Sequence, residues 1–167
     1  MDFDFFENCT AEKARLINPV VLAYVGDGVQ TLFVRKKLAL LHDLKSSELN
    51  KIEAKSVCAS AQARAARKLT AVFTEEELAI FKRARNSKKG SKAKNSTLGD
   101  YSKSTGLEAV IGFLYLSGQT DRLNYILNLA EEFTAETSAE TDEKTQTCEN
   151  VRVENKMQSV ENATEQR

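Results

Sequence analysis

The sequence has no tryptophan, one proline, seven glycines and one histidine in 167 residues. With breakers this scarce, Ala, Leu, Lys and Glu abundant, and β-branched residues rarely set in short alternating runs, the chain predicts an all-α fold. Its three cysteines, Cys9, Cys58 and Cys148, are scattered and have no metal-ligand spacing, which excludes a disulfide framework and a zinc site. No apolar run is long enough to span a bilayer, and the opening MDFDFFEN has neither the basic start nor the apolar stretch of a signal peptide. A soluble, cytoplasmic protein with no membrane partner is expected. The lone His42 sits beside Asp43 at a helix end, where a cap or surface role outweighs catalysis.

What is present is 41% hydrophobic residues, enough at this length to close one core. The formal net charge of zero hides an asymmetry. From Glu136 onward there are eight acidic and four basic residues, leaving 20 Lys+Arg against 16 Asp+Glu in residues 1–135. The expected organisation is an N-terminal segment (1–16), a mildly basic helical domain (17–135) and a polar acidic tail (136–167). That tail is too poor in apolar residues to offset its ordering entropy.

Along the domain, Asn18 and Pro19 predict the start of a long helix that runs to Leu41 and is apolar enough to be nearly buried all round. Gly26 and Gly28 each cost that helix about 1 kcal/mol relative to Ala, so something nearby should demand bare backbone around Asp27. A second, amphipathic helix is predicted from about Ser47 to Leu69. Thr74 and Glu77 have the spacing of a capping box for a third, which fades near Asn86. Residues 86–101 read as an exposed loop, 102–117 as an apolar helix carrying Glu108, and Thr120 as the cap of a last helix to about Phe133.

Asp27 and Glu108 lie on apolar helices, where an ionised carboxylate is costly to bury without partners. If those helices meet at Gly26, Gly28, Gly106 and Gly112, the two acids converge on one point and repulsion calls for a cation or a shared proton. Magnesium suits hard carboxylate oxygens and keeps several waters, one of which can become the nucleophile against a phosphodiester. From the residues alone, each acid could equally cap a neighbour or pair with Arg or Lys.

The strings VVLAYVGDGVQTLFVRKKL, VCASAQARAA, FKRARNSKKG and KSTGLEAVIGFLYL, in register from about residue 17 to 133, resemble the Mini-III ribonucleases, short bacterial members of the ribonuclease III family. The resemblance implies an all-helical, homodimeric endoribonuclease domain that cuts double-stranded RNA with Mg²⁺. The family's Y-[IV]-G-D aspartate falls on Asp27 and its S-T-x-x-E-A glutamate on Glu108, which would be both catalytic and metal-holding. Larger members have further acids four residues before that aspartate and three before that glutamate, where this chain has Ala23 and Thr105. Mini-III shares that reduced set. Gly28 and Gly106 stand where Mini-III more often has Ala.

The resemblance further implies precursor large-subunit (23S) ribosomal RNA as substrate and leaves room for a ribosomal protein or pre-ribosomal particle as partner. Between Lys82 and Lys103 eight cations face the single acid Asp100. Arg83, Arg85, Lys88, Lys89, Lys92 and Lys94 are the expected RNA-binding residues, reading phosphates and duplex shape. Two other functions fit the pattern less well: an RNA-binding scaffold whose carboxylates have decayed, and a helical module whose basic loop meets acidic protein.

Overall fold

The computed structural model describes residue 4 and residues 7–87 and 97–134. Among them the chain is helical and has no strand, as expected. The described helices are α1 (Ala11–Leu16), α2 (Pro19–Leu41), α3 (Ser46–Ser56), α4 (Ala59–Leu69), α5 (Glu75–Arg85) and α6 (Leu98–Leu116). A last helix, α7, covers residues 120–134. None of these helices is long and apolar enough to cross a membrane. Lys88, Lys89, Lys92, Lys94 and the acidic tail lie outside the described residues.

Helix α2 begins where the sequence predicts: Pro19 holds the first position and the Asn18 carboxamide oxygen accepts from the Val20 N–H at 2.9 Å. It is not buried all round. Leu22, Gly26, Gln30, Val34 and Leu38 form one buried ridge at four-residue spacing. Val20, Val21, Tyr24 and Leu32 face solvent.

The expected helix from Ser47 to Leu69 is two helices. It breaks at Val57 and Cys58, where Cys58 adopts extended backbone and caps α4. Serine, a β-branched valine and cysteine in a row are weak helix formers, and the Ser56 hydroxyl and Cys58 thiol donate to the Ile52 and Lys55 carbonyls. The break frees the alanine-rich α4 to bury Ala61, Ala65, Ala66 and Leu69.

Helix α5 has the predicted capping box. The Glu77 N–H donates to the Thr74 hydroxyl at 3.2 Å, and the Thr74 N–H donates to the Glu77 carboxylate at 2.9 Å. Glu77 is also buried against Arg122 of α7, whose guanidinium donates to both carboxylate oxygens at 2.7 Å and to the Val72 carbonyl at 2.7 Å. One ion pair therefore joins α5, its preceding turn and α7.

Helix α6 starts four residues earlier than expected, because the Thr97 hydroxyl accepts from the Asp100 N–H and caps it. It is the central rod, with residues 104–107 and 109–114 buried, and α2, α4 and α5 pack around it. Upstream, Ala14 of α1 is part of the same core. Residue Thr120 lies inside α7 rather than capping it, and Leu123, Ile126, Leu127 and Ala130 turn inward as predicted.

Candidate functional site

Helices α2 and α6 meet backbone to backbone. A Cβ on Gly26 would stand 2.7 Å from the Glu108 carbonyl carbon and 2.8 Å from the Gly112 nitrogen, and nearer still to the Glu108 oxygen. A Cβ on Gly112 would stand 2.9 Å from the Leu22 carbonyl carbon and 3.0 Å from the Gly26 nitrogen. Ordinary non-bonded contacts need about 3.5–4 Å, so only glycine fits either position.

This crossing sets the level of both candidate acids. Asp27 follows Gly26, with Cα atoms about 3.8 Å apart across a trans peptide. Glu108 supplies the very carbonyl that touches Gly26. The two residues therefore flank one crossing point on two different helices.

Two parts of the sequence expectation change. Gly28 has nothing within 4 Å of its would-be Cβ, and Gly106 meets the Phe81 ring of α5, so only Gly26 and Gly112 make the crossing. Asp27 is exposed in the single chain rather than buried, and no hydrogen bond or ion pair engages its carboxylate among the described residues. Glu108 is half-buried. The Asp27 carboxylate thus has no burial cost to offset and is open to a ligand.

Ala23 and Thr105, where larger ribonuclease III enzymes have further acids, are both buried, and the Thr105 hydroxyl donates to the Tyr101 carbonyl. Among the described residues no group of three or more His, Cys, Asp or Glu side chains could hold a metal ion. Hard carboxylate oxygens, of which those of Asp27 are exposed, fit a divalent cation that draws most of its coordination from water and substrate, as magnesium does, and fit zinc poorly.

One turn beyond Asp27 lies a polar pair that sequence reasoning missed. Gln62 of α4 donates from its amide nitrogen to the Gln30 carboxamide oxygen at 3.0 Å, and both are buried. Only contact between distant helices distinguishes these glutamines from surface ones, and no local signal carried it. The pair ties α4 to the stretch of α2 just after Asp27.

The basic residues separate into two roles. Arg83 donates to the Arg15 carbonyl at 2.7 Å and the Ile17 carbonyl at 2.8 Å, bracing the connection from α1 to α2. Arg85, two residues on and so on another face of α5, is exposed and among the described residues reaches its neighbour Asn86.

The family model for the ribonuclease III domain matches residues 20–119. The chain is 43% identical over 124 residues to the Mini-ribonuclease 3 of Staphylococcus aureus, covering 73% of this chain and 92% of that protein. It is 39% identical over 126 residues to that of Clostridium tetani, covering 74% and 82%. A crystal structure of a Fusobacterium nucleatum protein superposes with a TM-score of 0.63 at 31% identity, covering 69% of this chain and 92% of that one.

Proposed function

Because this chain belongs to the ribonuclease III family and is an endoribonuclease of the Mini-ribonuclease 3 kind, we propose that Asp27 and Glu108 are the catalytic, magnesium-holding residues with which it cuts double-stranded RNA. The observation that carries this reading is the glycine crossing of α2 and α6, which sets the two acids at one level. Magnesium, when bound, supplies a positive charge for the phosphate and lowers the pKa of water at neutral pH. Asp27 and Glu108 orient that charge, and the exposed position of Asp27 lets a duplex approach without opening the fold.

The catalytic unit is residues 17–135, with the acidic stretch 136–167 outside it. Arg85, Lys88, Lys89, Lys92 and Lys94 hold the phosphate backbone, and Arg83 supports that surface by bracing the start of α2. The exposed side chains of Val20 and Tyr24 stand four residues apart on α2, on the flank that leads towards Asp27. They support a homodimer in which a second copy covers this face. The substrate in the cell is precursor 23S ribosomal RNA in the cytoplasm, with a ribosomal protein or pre-ribosomal particle presenting it.

The test is cleavage of a perfect RNA duplex by wild type, Asp27→Asn and Glu108→Gln, with Mg²⁺ or EDTA. Wild type should cut only with Mg²⁺, and both variants should stay folded and fail to cut. Equal cutting by all three would overturn the site. In sedimentation, wild type should run as a dimer and Tyr24→Glu as a monomer. A precursor 23S transcript should be cut at a discrete position.

A further inference from the structure

A cavity of about 190 Å³ lies where the last turns of α4 and α5 meet the second turn of α6. It is lined by Ala66, Arg67, Thr70, Phe81, Arg85 and Lys103. Three cations share a space smaller than the few hundred Å³ of pockets that hold whole small molecules. One acid offsets them: Asp100 accepts from Arg67 at 2.7 Å and, through its other oxygen, from the Thr97 hydroxyl at 2.9 Å.

Arg67 and Arg85 have a structural reason to be there, since each sits in the last turn of its helix, where a cation complements the helix dipole. Lys103 has none. It stands in the second turn of α6, past the first turn to which the helix-end dipole is confined, and it makes no ion pair or hydrogen bond among the described residues. A lysine placed beside two arginines without a partner of its own leaves a surplus of positive charge that an anion would neutralise.

We infer that this cavity is a binding site for one backbone phosphate of duplex RNA, with Lys103 and Arg85 as standing cations and Arg67 as a third that Asp100 holds until the phosphate displaces it. The inference rests on the duplex-RNA reading above. Lys103 precedes Glu108 by five residues on the same helix, about 7.5 Å of axial rise and roughly 140° of rotation. Cavity and carboxylate therefore occupy different flanks of α6. The phosphate held here is not the scissile one, and its distance from the cut is set by a rigid helix. Thr70 contributes wall rather than a donor, because its hydroxyl already donates to the Arg67 carbonyl at 2.8 Å.

The experiment is fluorescence anisotropy of a labelled RNA duplex with the full chain in EDTA, from 50 to 200 mM KCl. Losing one phosphate contact lowers the slope of log affinity against log salt by about one. Lys103→Gln should bind more weakly with that smaller slope. Asp100→Asn keeps an oxygen for the Thr97 hydroxyl and should bind more tightly than wild type, a gain that misfolding cannot mimic. An unchanged slope in K103Q, weaker binding by D100N, or an equal loss by K103Q on polyglutamate would overturn the site. Absence of any Mg²⁺-dependent cutting of the same duplex by wild type would instead overturn the ribonuclease reading on which it rests.

Discussion

Replacing Gly26 with alanine tests the α2–α6 crossing most directly. The new methyl would lie 2.7 Å from the Glu108 carbonyl carbon and 2.8 Å from the Gly112 nitrogen, both of them backbone atoms of the central helix. No rotamer change relieves a clash with backbone, and the Glu108 oxygen is nearer still, so the helices must separate by roughly 1.5 Å to restore ordinary contact. Overpacking of this kind costs about 1–3 kcal/mol, occasionally more, and a backbone obstacle puts Gly26→Ala at the upper end. Alanine's better helix propensity returns about 1 kcal/mol. The net loss is about 2 kcal/mol, or a Tm lower by roughly 8 °C for a domain of this size. Activity should fall further than stability does, because an error of about 1 Å between two groups acting on one substrate costs on the order of 100-fold in rate. Gly28→Ala is the matched control: its Cβ meets nothing within 4 Å, so it should stabilise by about 0.5–1 kcal/mol. Circular dichroism melting and duplex cleavage at a temperature where both variants are folded give the comparison. A G26A protein that melts within a degree or so of wild type and cuts at its rate would refute the crossing.

The ion pair of Glu77 gives a pH dependence with a definite sign. Burial works to raise its carboxyl pKa, but hydrogen bonds from Arg122 and Thr74 and the Arg122 charge more than offset this and hold it below the ordinary 4.5. A lowered folded pKa means that its contribution to stability is full above that ordinary value and is lost as pH falls through the folded one. Glu77→Gln should therefore cost about 2 kcal/mol at neutral pH and flatten the acid limb of a Tm-against-pH curve; an acid limb as steep as in wild type would show that Glu77 does not carry it. Gln62→Leu leaves the buried Gln30 oxygen without its donor and should cost about 1–3 kcal/mol in urea denaturation, while Gln30→Leu with Gln62→Leu should recover part of that loss. A double variant less stable than Q62L would overturn the assigned pairing.

The features legible in the sequence were those whose chemistry is local. Asn18 with Pro19, and Thr74 with Glu77, announce helix starts because a cap and its partner lie within four residues of each other. Asp27 and Glu108 are candidates on their motifs, and burial does not single out Asp27, which is exposed in the single chain. Other features depend on distant partners. The break at Val57–Cys58 was hidden because apolar spacing continues through it on both sides, and the early start of α6 was hidden because Ser96, Thr97 and Gly99 resemble loop while Thr97 acts as a cap. Composition alone made α2 look buried throughout, since it cannot separate a core residue such as Leu22 from the exposed Tyr24 two positions later. Gly26 and Gly28 read alike in sequence and differ completely in surroundings, because only one of them faces α6. Arg83 and Arg85 differ for the same reason.

Most helix pairs touch through side chains, which act as compliant spacers and take up small displacements by changing rotamer. At Gly26 and Gly112 there is no such spacer, and main chain rests on main chain. The junction therefore works as a hard stop. Heating, or a substitution elsewhere in the core, can lower the stability of the whole fold, yet it has little means of gradually detuning the separation of Asp27 and Glu108. Loss of activity on destabilisation should accordingly follow the fraction unfolded, in step with the melt, with no preceding phase of folded protein that cuts poorly.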